Sequence, residues 1–522
     1  MTNILWISIA PTCYTASGVF VASLALYIFF RPKHVESSVM EPSLFILDIN
    51  TWPLGVRGDS CRKRWWWCGQ SWDYTSWLLS SVRHFPLRTW GPSFHLGRRR
   101  ATTTSPTSRS TKCVHLATAE CLQYVLHDNC ENYEEGKLTK SLQDLLGRNL
   151  FSVSGDAARE LHQRIVAASL DPMTVQYGAC VLLEKLEKVE RLLDEWADSG
   201  ETFDFQNLSY RMILDVFVKI CFGFDLNGMV ESDHAVPFVD AFNELQSLMG
   251  KRQGDPLWEI KRLFTIGERE KRVKYCERII DDFVDEIISA TRSREHQDRP
   301  DVVSSYLFNC NGQGGSETTN QDVRDLVIGL LIGGRDTTAA ALSWTMYELT
   351  KHPAVVDRIR EEVDRICRGS QLSFALVQKL QYTHAVVIES LRLHPPVPDK
   401  YSFAKNDDIL PDGMKVPAGS LVVYPIHERD QADQDLSDAN TFDPGRFCRS
   451  QNEPSHSMLA TFNAGAPRCP SKQLSVLELK MCVAYLIPRY DIIDVESHSG
   501  DFHWTLVMSM KHGFKVKVRK RS

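Results

Sequence analysis

The sequence predicts a mainly α-helical domain with small β-sheets, preceded by an N-terminal transmembrane helix. Three observations predict it. Long segments carry apolar residues at three- and four-residue steps, short turn-and-strand signals cluster past residue 400, and an uncharged run stands near the start. At 522 residues, 43% hydrophobic and 24% charged, the chain has a globular composition and the length for one large core or two ordinary ones. A net charge of −6 without a long basic stripe excludes nucleic acid as the expected partner. The 14 cysteines are scattered with no C-x-x-C pair, which argues against a zinc ribbon or a dithiol motif and for reduced thiols in the cytosol.

From Ile4 to Phe30 there is no charge, and Arg31 and Lys33 end the run. A spanning helix needs about 20 apolar residues, so 1–33 is read as a membrane anchor. The basic residues after it place the rest of the chain on the cytosolic side. The start "MTN" and the aromatic end before the charges speak against a cleaved signal peptide. Residues 34–112 read as irregular: seven of the 12 tryptophans lie between Trp52 and Trp90, and "GRRR" and "ATTTSPTSRST" have neither helical nor strand period. Two readings stay open for this segment, a membrane-surface stretch rich in Trp and Arg, or a mistranslated one.

Residues 113–522 form the expected domain. Helical spacing runs through 158–169, 178–197 and 273–292, and "DGMKVPAGSLVVYPI" (412–426) reads as turns and short strands. No internal repeat occurs. The stretch "DVRDLVIGLLIGGRDTTAAALSWTMYELTKHP" (322–353) predicts a long helix that begins near Asp322 and is apolar all round at its centre. Arg335 and Asp336 argue against a bilayer, since each charge costs about 2.5–3.5 kcal/mol at a membrane centre. It is therefore expected to be a core helix. Gly333 and Gly334 permit unwinding or the close approach of a flat ligand, and Asp336, Thr337 and Thr338 follow with groups able to carry protons. The plainer reading is a glycine kink whose hydroxyls bond back to the preceding turn.

In "ESLRLHPPVP", Glu389 and Arg392 stand one helical turn apart and can pair. Glu362 and Arg365 share that spacing and are expected on a solvated face. "FDPGRF" (442–447) adds Arg446. "FNAGAPRCPSKQ" (462–473) places Cys469 beside Arg468, after Gly465 and before a helix-forming run. A lone cysteine is commonly a small buried hydrophobe. A metal, a neighbouring cation and a helix N-terminus are what would make it a thiolate.

In this order and at these distances, the stretches resemble those of the cytochrome P450 family, haem-thiolate monooxygenases, from about residue 113 to the end. "RDTTAAALSWTMYELTKHP" and "NYEEGK" (132–137) are similar to microsomal fungal enzymes related to alkane and fatty-acid hydroxylases. The resemblance implies a P450 fold and a haem whose iron is ligated by Cys469, with Arg468, Phe462 and Gly465 in the loop around it. It implies proton delivery by Asp336 and Thr337, and a structural triad of Glu389, Arg392 and Arg446. It implies electrons from NADPH–cytochrome P450 reductase, a hydrophobic small-molecule substrate such as a fatty chain, polyketide or terpenoid of secondary metabolism, and contact with membrane lipid. The expected location is the endoplasmic reticulum membrane, with the catalytic domain cytosolic.

The chain departs from the family pattern at several points. Pro467 stands where the arginine two residues before the cysteine is usual, Ser471 replaces a glycine and brings a Cβ to the close approach there, Gly445 replaces a glutamate, Lys400 stands near the place of an arginine, and no Trp precedes an Arg by four in 155–169. A second reading is therefore a degenerate, catalytically impaired relative, and a third is a membrane-anchored binding protein without cofactor.

Overall fold

Apolar residues at helical spacing fold into eight long helices among the described residues: α1 (Pro172–Ser199), α2 (Phe205–Phe222), α3 (Pro237–Gln253), α4 (Glu268–Arg292), α5 (Asn320–Lys351), α6 (Pro353–Cys367), α7 (Gln381–Leu393) and α8 (Lys472–Leu486). The structure, a computed structural model, describes most of residues 103–521. It leaves out 107–111, 135–141, 150–171 (bar Gln163 and Ile165), 230–236, 293–300, 304–318, 428–438, 450–460, 463–468, 505–506 and a few single positions. Residues 73–522 cluster as one unit and 1–72 as another. The expected anchor therefore lies outside the described residues, as does most of the irregular segment and of the 158–169 helix.

Local chemistry fixes the helix ends. Asp204 caps α2 by accepting the Asn207 N–H at 3.2 Å, and Gly223 closes it with φ +66°. Thr319 and Asp322 form a reciprocal capping box at the start of α5: Thr319 Oγ1 accepts the Asp322 N–H at 3.2 Å, and Asp322 Oδ2 accepts the Thr319 N–H at 3.0 Å. Pro353 opens α6, where its missing N–H removes no helix bond. Helix α5 is long and apolar enough to cross a membrane, yet most of it is buried within the protein, as a core helix should be.

The strands are short: β1 (Thr103–Pro106), β2 (Lys112–His115), β3 (Tyr133–Glu134), β4 (Phe203–Asp204), β5 (Asp399–Ala404), β6 (Asp408–Ile409), β7 (Lys415–Val416), β8 (Leu421–Pro425), β9 (Tyr490–Asp494), β10 (Phe502–Trp504), β11 (Met508–Met510) and β12 (Lys515–Lys520). The largest sheet has the order β1-β2-β8-β5-β3, with β2 and β8 parallel and the other pairs antiparallel. A three-stranded sheet, β4-β12-β9, brings the C-terminus onto α1. The turns expected in 412–426 are present, with Gly413 and Gly419 at φ +84° and +76°. Strand β1 differs from expectation, because it falls inside the segment read as irregular. The β-branched Thr103 and Thr104 pair with His115 and Val114, and so extend a sheet whose next strand is already buried at Cys113 and Val114.

The main core gathers α1–α8, with Trp344 of α5 at its centre, fully buried and donating its indole N–H to the Met508 carbonyl at 2.9 Å. A second, smaller core lies between the large sheet and the short helix Ala119–Gln123.

Candidate active site

Cys469 stands three residues before the first residue of α8, its side chain half-buried and outside any disulfide. Its N–H donates to the Phe462 carbonyl at 2.9 Å, which ties together the two ends of the intervening loop. The Phe462 ring packs against Ile388 and Val476, so α7 and α8 both fix the base of that loop. Ser471, at the place of the family's glycine, sets its hydroxyl 3.6 Å from the Cys469 sulfur, within reach of a sulfur hydrogen bond. Its side chain caps no amide of α8. Arg468 and Gly465 lie outside the described residues.

Across the core, α5 is not a uniform α-helix. Residues Ile332–Asp336 form one π-helical turn, which widens the helix at Gly333 and Gly334. Thr337 Oγ1 donates to the Gly333 carbonyl at 2.5 Å, so its proton is directed back along the helix and its lone pairs face outward. That is the bonding-back of the plainer sequence reading. Gly334 differs from expectation too. A Cβ there would lie 2.2 Å from Phe217 Cε2, so the close approach that this glycine allows is by a phenylalanine of α2 and not by a flat ligand.

Arg335 and Asp336 are both buried in the direction of α2 and α3. The Arg335 guanidinium lies 5.6 Å from the Tyr210 ring centroid and 5.9 Å from that of Phe242, and its Nη1 donates to Asn243 Oδ1 at 2.9 Å. Nη1 is also 3.1 Å from Asp336 Oδ1, but the alignment is poor, and Oδ1 has no hydrogen-bond partner among the described residues. The other carboxylate oxygen, Oδ2, accepts from Gln246 Nε2 at 2.9 Å. Burial pushes the Asp336 carboxyl above its usual range, against the opposing pull of Arg335 and the Gln246 amide.

Glu389, Arg392 and Arg446 come together at the C-terminal end of α7. Glu389 Oε2 accepts from Arg392 Nε at 2.8 Å, and Oε1 accepts from Arg392 Nη2 at 2.9 Å, from Arg446 Nε at 3.0 Å and from the Asp443 N–H at 2.9 Å. Arg392 also donates to the Ala439 carbonyl at 2.7 Å. The carboxylate is fully buried, a position that only such a set of donors makes tolerable. The group thereby fastens the 439–446 segment, which leads toward the cysteine loop, onto α7.

Sequence reasoning placed Glu362 wrongly. It is buried, and it accepts hydrogen bonds from the backbone of Gln381, Tyr382 and Thr383 at the start of α7. Tyr210, Phe217, Asn243 and Gln246 were missed, since no motif marks them. The one signal in the sequence was two amides three residues apart, beside the apolar stripe Phe238, Phe242, Leu245 and Met249 of α3.

The donor set decides what could be held here. No cluster of three or more His, Cys, Asp or Glu side chains suited to a metal ion occurs among the described residues. A lone, half-buried thiol at the mouth of a helix therefore suits an iron whose other ligands come from a macrocycle, not a metal caged by protein. The comparisons agree. The cytochrome P450 family model matches residues 105–518. Cytochrome P450 94C1 of Arabidopsis thaliana is 29% identical over 446 residues, 82% of this chain and 88% of that protein. Cytochrome P450 94A1 of Vicia sativa is 27% identical, over 85% of this chain and 86% of its own. The cytochrome P450 monooxygenase cyp1 of Mycosarcoma maydis is 27% identical, over 78% of this chain and 68% of its own. The chain thus belongs to the cytochrome P450 family and is a haem-dependent monooxygenase.

Proposed function

We propose that the protein inserts one oxygen atom from O2 into a hydrophobic small molecule, and that Cys469 Sγ would hold the iron of the haem that supplies the oxygen chemistry. The observation that carries this reading is the thiol itself: half-buried, outside any disulfide, at the opening of α8, with a hydroxyl 3.6 Å away. Bound haem supplies the activation of oxygen, and thiolate ligation favours O–O cleavage. The chain's own residues hold, orient and deliver. Phe462 and the α7–α8 packing fix the loop that presents the sulfur. The Glu389–Arg392–Arg446 group keeps the preceding segment seated.

On the α5 side, burial pushes the Asp336 carboxyl above its usual range, which suits it to hand on a proton, and Thr337 offers its oxygen as an acceptor because its own hydrogen is committed to Gly333. The substrate is apolar, in keeping with an uncharged stretch from Ile4 to Phe30 that would anchor the chain at the endoplasmic reticulum membrane, catalytic domain in the cytosol. Electrons come from NADPH through a separate membrane reductase. A fatty chain, polyketide or terpenoid of secondary metabolism fits that setting.

The test is the absorption spectrum of reduced, carbon-monoxide-treated membranes carrying the full-length chain. A red-shifted Soret band that disappears in Cys469→Ala supports the reading. A band at the blue side, or none in the wild-type protein, overturns it. Co-expression with a reductase and comparison of metabolites with and without the gene then identifies the product.

A further inference from the structure

We propose that α3 governs the acid of the oxygen-activating helix through two side chains of opposite effect: Gln246 holds the Asp336 carboxyl, and Asn243 takes the aligned hydrogen bond that Arg335 would otherwise give it. This rests on the proposed function, in which Asp336 delivers protons.

The geometry divides the work between the two carboxylate oxygens. Oδ2 accepts from Gln246 Nε2 at 2.9 Å, so it is kept as an acceptor and its orientation is tied to α3. Oδ1 has no hydrogen-bond partner among the described residues and is the oxygen left to carry the exchangeable proton. A guanidinium one residue away would ordinarily clamp such a carboxylate and keep it ionised. Here Arg335 Nη1 gives its aligned hydrogen bond to Asn243 Oδ1 at 2.9 Å, and stands 3.1 Å from Asp336 Oδ1 in poor alignment. Its Nε is also without a partner among the described residues. The arginine is thus close enough to stabilise the anion left after proton transfer, yet not so placed as to prevent protonation.

The step balances simply. The O–H bond at Oδ1 breaks, the proton leaves for the acceptor at the oxygen site, the carboxylate remains beside Arg335, and water returns the proton. The groups that face Asp336 are Arg335 on its own helix, Gln246 and Asn243 on α3, and Tyr210 on α2, whose phenol burial and the Asp336 charge keep protonated. Desolvation outweighs the two favourable contacts, and the carboxyl stands above its usual range.

Two substitutions should then push in opposite directions. Gln246→Leu removes a donor to the anion and lets Asp336 keep its proton to higher pH. Asn243→Ala frees Arg335 to bond Oδ1 and makes Asp336 lose its proton at lower pH. Asn243 is exposed and Gln246 half-buried, so neither change opens the core.

The measurement is the infrared carboxyl band of Asp336 in the holoenzyme, isolated as the difference from Asp336→Asn and followed against pH. The expected midpoint shifts are about one pH unit up for Gln246→Leu and about one unit down for Asn243→Ala, each a tenfold change in the proton-binding constant. Shifts in the same direction, or no shift in either variant, overturn the proposal. The parent reading fails separately: if Asp336→Asn leaves the ratio of product formed to NADPH consumed unchanged, Asp336 delivers no proton, whatever the infrared titration shows. Thermal unfolding of the holoenzyme separates misfolding from the effect sought, since a structural loss would not reverse sign between the two variants.

Discussion

Glu362 Oε2 accepts both the backbone N–H and the hydroxyl of Thr383, each at 2.8 Å, while its other oxygen takes the amides of Gln381 and Tyr382. Helix α7 needs this help. Its N-cap residue is Leu380, which has no side-chain acceptor, so the first amides of the helix are satisfied by a carboxylate from α6.

Glu362→Ala should therefore cost about 2–3 kcal/mol, because it leaves buried amides without an acceptor and removes the charge that eases burial of Lys480. Arg365→Ala, at the exposed other end of the E-x-x-R pair, should stay within about 0.5 kcal/mol of wild type. Denaturant unfolding of both holoenzymes checks this. Equal losses would mean that the pair, not the cap, matters.

Gly334→Ala should be destabilising by about 1–3 kcal/mol, since the new methyl would meet the Phe217 ring at 2.2 Å. Phe217→Ala in the same chain should recover part of that loss. A double-mutant cycle measures the coupling. Additive losses would show that the strain is not between these two side chains.

Burial alone raises the Glu478 carboxyl, on α8, to about 8. The folded state then binds a proton that the unfolded chain has already released, so stability falls as pH rises from about 4.5 towards 8. At pH 7 the accumulated penalty is on the order of 3 kcal/mol. Glu478→Gln should flatten this slope, with no advantage over wild type below about pH 4.5 and a growing one above it. Melting temperatures measured from pH 5 to 8 decide it. Parallel curves for the two proteins would place the proton elsewhere.

Thr337→Ala should leave NADPH and oxygen consumption running while product falls on the order of tenfold and hydrogen peroxide rises, as the acceptor oxygen beside Gly333 is lost. Thr337→Ser, which keeps that oxygen, should retain most of the coupling. Stoichiometry of NADPH, peroxide and product is the readout, and a tightly coupled alanine variant would remove Thr337 from the proton path.

Much of this site was legible in the chain before any coordinates. The all-round apolar centre of α5 interrupted by Arg335 and Asp336 marked a core helix, and the Glu389–Arg392 spacing marked a pair that the fold indeed buries. What the sequence concealed are partners supplied by other helices. Gln246 lies 90 residues from Asp336, and nothing in "AFNELQ" distinguishes an amide that reaches a buried acid from one that faces water. Glu362 misled for a related reason. Its i, i+3 arginine suggests a surface pair, whereas its role follows from a missing cap in the following long helix, which only the packing of α6 against α7 reveals. Phe217 shows a third limit: a glycine announces that something comes close, but not what.

The parallel pairing of β2 with β8 sets Cys113 opposite Leu421, about 300 positions later in the chain. At about 5–20 residues per second, a ribosome takes roughly 15–60 s to make the intervening polypeptide. Throughout that interval the inner edge of β2 has no permanent neighbour. The large sheet is therefore a late event in biogenesis, completed only once about four fifths of the chain has been translated.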